Sequence, residues 1–155
     1  MNIQERIEAL ETEFAEKIKA LKAEAQQVDE FPQFGDDYWY IDSDTEVMDT
    51  ASYDGEYDQG RLSIGNIFKT KEQAEFAVEK LKVEAELRKY SKPFEIYGTN
   101  YHLYFAKDDG FMGIGYVTTS LIQGAIYFES EETAREAIRA VGKERIKKYI
   151  FRAEE

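Results

Sequence analysis

The chain carries one run twice, and that repetition constrains the fold more than any other feature. Residues 67–81 align without a gap on residues 127–141, at a constant offset of 60. Phe68/Phe128, Glu72/Glu132, Ala74/Ala134 and Ala77/Ala137 are identical, while Thr70/Ser130, Val78/Ile138 and Leu81/Val141 differ conservatively. Each copy reads as a strand end, a hydroxyl N-cap and a helix. Thr70 and Gln73 have capping-box spacing. Ser130 precedes Glu131 and Glu132, acids that the dipole of a first helical turn favours.

Upstream of each copy lies an aromatic strand former, Tyr38-Trp39-Tyr40-Ile41 in the first and Tyr101-His102-Leu103-Tyr104-Phe105 in the second. Asp108-Asp109-Gly110 is a turn signal, and residues 61–68 and 118–128 are expected to supply the return strands. The predicted fold is α+β. A long N-terminal helix (domain 1–30) precedes a duplicated β-β-α domain (31–155, repeats about 35–90 and 94–151). Its hairpins form one antiparallel sheet with helices on one face. The last helix is expected to break near Gly142, leaving a basic helical tail with Ile146, Tyr149 and Ile150 turned inward.

The N-terminal helix is read over residues 2–28 from a stripe at Ile3, Ile7, Leu10, Phe14, Ile18 and Leu21 that continues to Ala25 and Val28. Such a polar helix with one narrow stripe must dock on something. Two partners fit, its own domain or another copy in a coiled coil. The helix over 71–88 carries two stripes, Ala74/Ala77/Val78/Leu81/Ala85 and Phe76/Val83/Leu87/Tyr90, so its second stripe is expected to receive the N-terminal helix or a second subunit.

Composition matters through where the charge sits. Between Lys22 and Arg61 there is no base and there are 12 acids, which leaves 20 acids against 20 bases elsewhere. The whole net charge of −12 therefore lies in that stretch, and its field repels nucleic acid and attracts basic surfaces. Within it, Tyr38, Trp39, Tyr40, Tyr53 and Tyr57 interleave with Asp36, Asp37, Asp42, Asp44, Glu46, Asp49, Asp54, Glu56 and Asp58. Asp42, Asp44 and Glu46, spaced by two, would share one face of a strand. Aromatics act as interface anchors and rim carboxylates steer a basic partner, so this segment is the candidate partner-binding surface. The plain alternative is a solvated loop.

Enzyme chemistry finds little footing. The single histidine, His102, sits in an aromatic strand, and no phosphate loop, dinucleotide fingerprint, nucleophile elbow or zinc-protease motif occurs. Gly113-Ile114-Gly115 opens no helix, and neither 42–46 nor 54–58 has calcium-loop spacing. No metal or cofactor is expected. The absence of cysteine excludes disulfides and thiolate chemistry. A charged N-terminus and the lack of a membrane-length apolar run lead us to expect a cytoplasmic protein.

The stretch 61–83, together with Gly35-Asp36-Asp37-Tyr38-Trp39-Tyr40-Ile41 and the ending 127–149, resembles small uncharacterised proteins of bacterial phages and prophages. The likeness covers about residues 30–151 and brings no site residues with it. It implies a phage-derived accessory protein in the host cytoplasm, of the acidic kind that opposes host defences such as CRISPR nucleases. The first expectation is thus a non-enzymatic, DNA-mimicking inhibitor of a basic, nucleic-acid-handling host protein. The alternatives are an assembly module that oligomerises through the N-terminal helix, and a sponge for a signalling nucleotide using Arg61 and Lys107.

Overall fold

A computed structural model describes residues 2–25, 30–50 and 52–153. The chain is mixed α+β, as the pattern predicts. Helix α1 spans Ile3–Ala25, and Val28 of the expected stripe lies outside the described residues. Strands β1 (Tyr38–Ile41) and β2 (Val47–Thr50) follow, then a short helix α2 (Gln59–Ser63) and the long α3 (Lys71–Arg88). The second half holds β3 (Ser91–Lys92), β4 (Asn100–Ala106), β5 (Phe111–Val117), β6 (Tyr127–Phe128), α4 (Glu131–Val141) and α5 (Lys143–Tyr149).

The expected single sheet is in fact two. β1 and β2 form a two-stranded antiparallel sheet, and a four-stranded antiparallel sheet has the order β3-β6-β4-β5. Both return strands come earlier than the sequence suggests. The Asp42 carboxylate accepts from the amides of Asp44 and Glu46, each at 2.9 Å, and Thr45 takes φ 67°, so the chain reverses at once and Val47–Thr50 pairs with β1. In the second half Asp109 accepts from the Phe111 amide at 3.0 Å and Gly110 has φ 68°, which starts β5 at Phe111. Closing a short loop costs less entropy than closing a long one. Residues 61–63 consequently belong to α2, and of 118–128 only Tyr127 and Phe128 are strand.

The repeated phenylalanines take matching places. Phe68 exchanges backbone hydrogen bonds with Trp39 of β1 at 2.8 and 2.9 Å, and Phe128 pairs with Tyr101 of β4. Each is followed by a capped helix. Thr70 Oγ1 accepts from the Gln73 amide at 3.3 Å, and Ser130 Oγ accepts from the Thr133 amide at 3.1 Å. Gln73 answers by accepting from the Lys69 amide at 3.1 Å.

The core gathers Val83 and Leu87 of α3, Met112 of β5, Phe128 of β6, Ala134, Ala137 and Val141 of α4, and Ile146 of α5. Gly142, at φ 98°, separates α4 from α5. The second stripe of α3 receives the C-terminal tail, not α1. Phe76 meets Tyr149 with ring centroids 5.1 Å apart, while Leu81 and Ala85 face solvent. The α1 stripe is uncovered from Ile3 to Leu21, with exposures from 44% at Ile7 to 77% at Ile3. Among the described residues no helix is long and apolar enough to cross a membrane.

Candidate functional site

The β1–β2 hairpin, the two residues before it and the loop to α2 hold every residue of the candidate surface. Alternation along β1 puts Tyr38 and Tyr40 on one face and Trp39 on the other. Tyr38 is 1% exposed, and its hydroxyl donates to Asp58 Oδ1 at 2.7 Å. Arg61 Nη1 donates to the same hydroxyl at 2.8 Å, lies 3.4 Å from Asp58 Oδ1, and its guanidinium stacks 3.7 Å above the Tyr40 ring. Asp58 Oδ2 accepts from the Asp54 amide at 2.8 Å, and Tyr53 packs edge-on against Tyr38. The hydrogen bond from Tyr38, then the Asp54 amide, holds the Asp58 carboxyl below the usual aspartate range. Burial, then the Asp58 contact, pushes the Tyr38 phenol up.

This arrangement divides the acidic segment. Tyr38, Tyr53 and Asp58 are interior, so they support the surface and do not form it. Asp36 accepts from the Gln33 amide at 2.8 Å, and Asp54 accepts from the Glu56 amide at 3.0 Å. With Asp42 these acids close turns. Asp42, Asp44 and Glu46 lie in the hairpin turn, not along one strand face, because Asp42 folds the backbone around its own carboxylate. The side chains of Asp37, Asp44, Glu46, Asp49 and Glu56 are exposed and have no ion pair or hydrogen bond among the described residues. Asp49 is level with the half-buried Trp39 across the strands, and Tyr57 is 85% exposed. The nearest base by sequence, Arg61, is engaged inward.

Three features escaped sequence reasoning. First, Gly113 and Gly115 face Tyr104 and His102 across the β4–β5 ladder, and those rings lie over the glycines. A Cβ at Gly113 would stand 2.5 Å from the Tyr104 ring, and one at Gly115 would stand 3.2 Å from His102 Nε2. Alternating glycines opposite aromatics in paired strands were the available signal. Second, a groove of about 460 Å³ between β5 and α4 is lined by Arg135, Arg139 and Lys143 above an apolar floor that includes Phe111 and Ile138. Their spacing of four was a legible stripe. Third, Arg61 belongs to the Tyr38–Asp58 cluster, and Lys107 lies in the β4–β5 turn, so neither lines that groove. His102 borders a smaller cavity of about 270 Å³ with Leu87, Phe128 and Phe151. Among the described residues no three potential metal ligands converge.

Comparison with protein-family models, curated proteins and solved structures finds no match to this chain.

Proposed function

We propose that this chain is a non-enzymatic binding protein that occupies the nucleic-acid groove of a basic host protein, with Asp37, Asp44, Glu46, Asp49 and Glu56 standing in for phosphates. One observation carries the reading: these five carboxylates are exposed and form no ion pair among the described residues, and Arg61, three positions beyond the segment, is held by Tyr38, Tyr40 and Asp58. Uncompensated charge of one sign speeds encounter with an oppositely charged partner and is screened by salt. Tyr57 and Trp39 supply the aromatic contacts that charge alone lacks. The resemblance to phage and prophage proteins makes a defence nuclease the partner class, and the host cytoplasm the compartment.

The test is capture from host lysate at graded salt with the native chain and with an Asp44→Lys/Glu46→Lys/Asp49→Lys variant. The expected result is a basic, DNA- or RNA-binding protein that the variant fails to retain and that added duplex DNA displaces. Equal retention by both chains, unaffected by salt, would sink the reading.

A further inference from the structure

We propose that α1 is the seam of a homodimer in which two copies pair their N-terminal helices antiparallel. This goes beyond the acidic surface and does not depend on it. The apolar positions of α1 repeat every 11 residues: Ile3 with Phe14, Ile7 with Ile18, and Leu10 with Leu21. An 11-residue period is 3.67 residues per turn, which keeps a stripe on one side of two helices that wrap with a slight right-handed supercoil. Helix packing inside a globular domain does not require so regular a seam. All six side chains are exposed, and no part of the fold among the described residues covers them. A helix of 23 residues with one apolar stripe gains its stability from whatever covers that stripe.

Charge identifies the second copy and sets its direction. Residues 2–13 contain four acids and Arg6, a net of −3, while residues 14–25 contain two acids and three lysines, a net of +1. Antiparallel pairing sets each acidic half beside a basic half, whereas parallel pairing sets −3 beside −3. The rest of the chain joins α1 at its C-terminal end. With −2 on residues 2–25, that rest carries −10 of the chain's −12. Antiparallel helices hold the two acidic bodies at opposite ends of a rod about 34 Å long, several Debye lengths of roughly 8 Å apart. The stripe also nearly superimposes on its own reverse, with four of its six positions matched and Ile7 and Ile18 one residue out of register. Ile3 comes level with Leu21 of the second copy, and Leu10 with Phe14, so a two-fold axis crosses near residue 12. One cost is visible: Arg6 and Lys17 of the second copy share a flank, so Arg6→Gln, which removes that repulsion and leaves the basic half basic, should tighten the dimer.

Sedimentation equilibrium of the full chain at micromolar concentrations should give twice the 18.0 kDa of one chain. Leu10→Glu should give the monomer mass and leave the near-ultraviolet circular dichroism and melting of the β-containing part unchanged, because Leu10 touches none of it. Direction is read by mixing an Arg6→Cys chain with a Lys17→Cys chain in a protein that has no native cysteine. Antiparallel helices bring the two thiols level and yield a mixed disulfide. Parallel helices separate them by about 16 Å along the axis and do not. A monomer at every concentration would assign the stripe to a different protein and overturn the proposal, as would a dimer that forms no mixed disulfide.

Discussion

Arg145 of α5 grips Glu86 of α3 with both arms of its guanidinium, Nη1 and Nη2 each lying 3.0 Å from a different carboxylate oxygen. The two residues are 59 positions apart, and Arg145 Nη1 also donates to the Val141 carbonyl at 3.1 Å. One side chain therefore ties the C-terminal helix to α3 and to the end of α4.

Removing that tie should loosen the C-terminal helix. Both groups are more than a third exposed, so solvent screens the pair and its contribution is about 1 kcal/mol. Arg145→Ala should lower the urea unfolding free energy by that amount. Arg145→Lys should recover only part of it, because a lysine cannot bond both oxygens at once. Full recovery by lysine would show that charge alone, not the forked geometry, matters here.

The buried Tyr38–Asp58 contact predicts a stability profile that falls at both ends of the pH scale. The folded-state pKa of Asp58 is lowered, so its contribution is present above the unfolded value near ~4 and is lost as pH falls through the folded one. Glu86, held low by the Arg145 hydrogen bond, acts in the same direction. The folded-state pKa of Tyr38 is raised, so its contribution is present below the unfolded value near ~10 and is lost as pH rises through the folded one. Tyr38→Phe should destabilise by roughly 1.5–3 kcal/mol at neutral pH, the range for a hydrogen bond to a charged group. The difference between native and variant chains should shrink toward both extremes. A constant difference from pH 3 to pH 11 would contradict this assignment.

The same pair shows where the sequence is legible and where it is not. Helix ends can be read locally, because Thr70, Ser130 and Gly142 each act on the backbone within a few residues, and all three behave as their chemistry predicts. The return strands cannot. Residues 61–68 alternate like a strand, yet the Asp42 turn reaches Val47 first. The acidic surface is half legible for a related reason. The charge imbalance is a property of the chain, but nothing local separates Asp58, buried under a tyrosine 20 positions away, from Asp49, which faces water. Burial of an acid is decided by a partner distant in sequence, and a count of charges does not contain that partner.

The glycines of β5 offer a test of side-chain accommodation across a ladder. Gly113→Ala places a methyl group 2.5 Å from the Tyr104 ring and 2.7 Å from Phe111 Cε1, so both rings must swing out, and the cost should be about 1–2 kcal/mol. Gly115→Ala, 3.2 Å from His102, should cost less. In double-mutant cycles, Tyr104→Ala and Phe111→Ala should each remove part of the Gly113→Ala penalty, couplings that chemical denaturation can measure. Additive penalties in both cycles would mean that the backbone of β5, not the Tyr104 or Phe111 ring, resists the methyl.

The exposed acids should act against the stability of the chain that carries them. Asp44 and Glu46 lie in the turn of the β1–β2 hairpin and Asp49 lies along β2 opposite Trp39, with no base ion-paired to them among the described residues, and like charges gathered on one hairpin raise the folded-state energy. Replacing them with Asn, Gln and Asn should therefore stabilise the fold by roughly 0.5 kcal/mol at low ionic strength, a rise of about 1–2 °C in Tm. High salt should erase the gain, since it screens the repulsion that the substitutions remove. Neutralisation thus separates two roles that a binding assay alone would confuse. Acids that serve the fold would lower Tm when neutralised, and acids that serve a partner would raise it. Calorimetry of the triple variant at low and high salt, with no partner present, decides between them, and a lower Tm in both buffers would return these carboxylates to the structure of the hairpin.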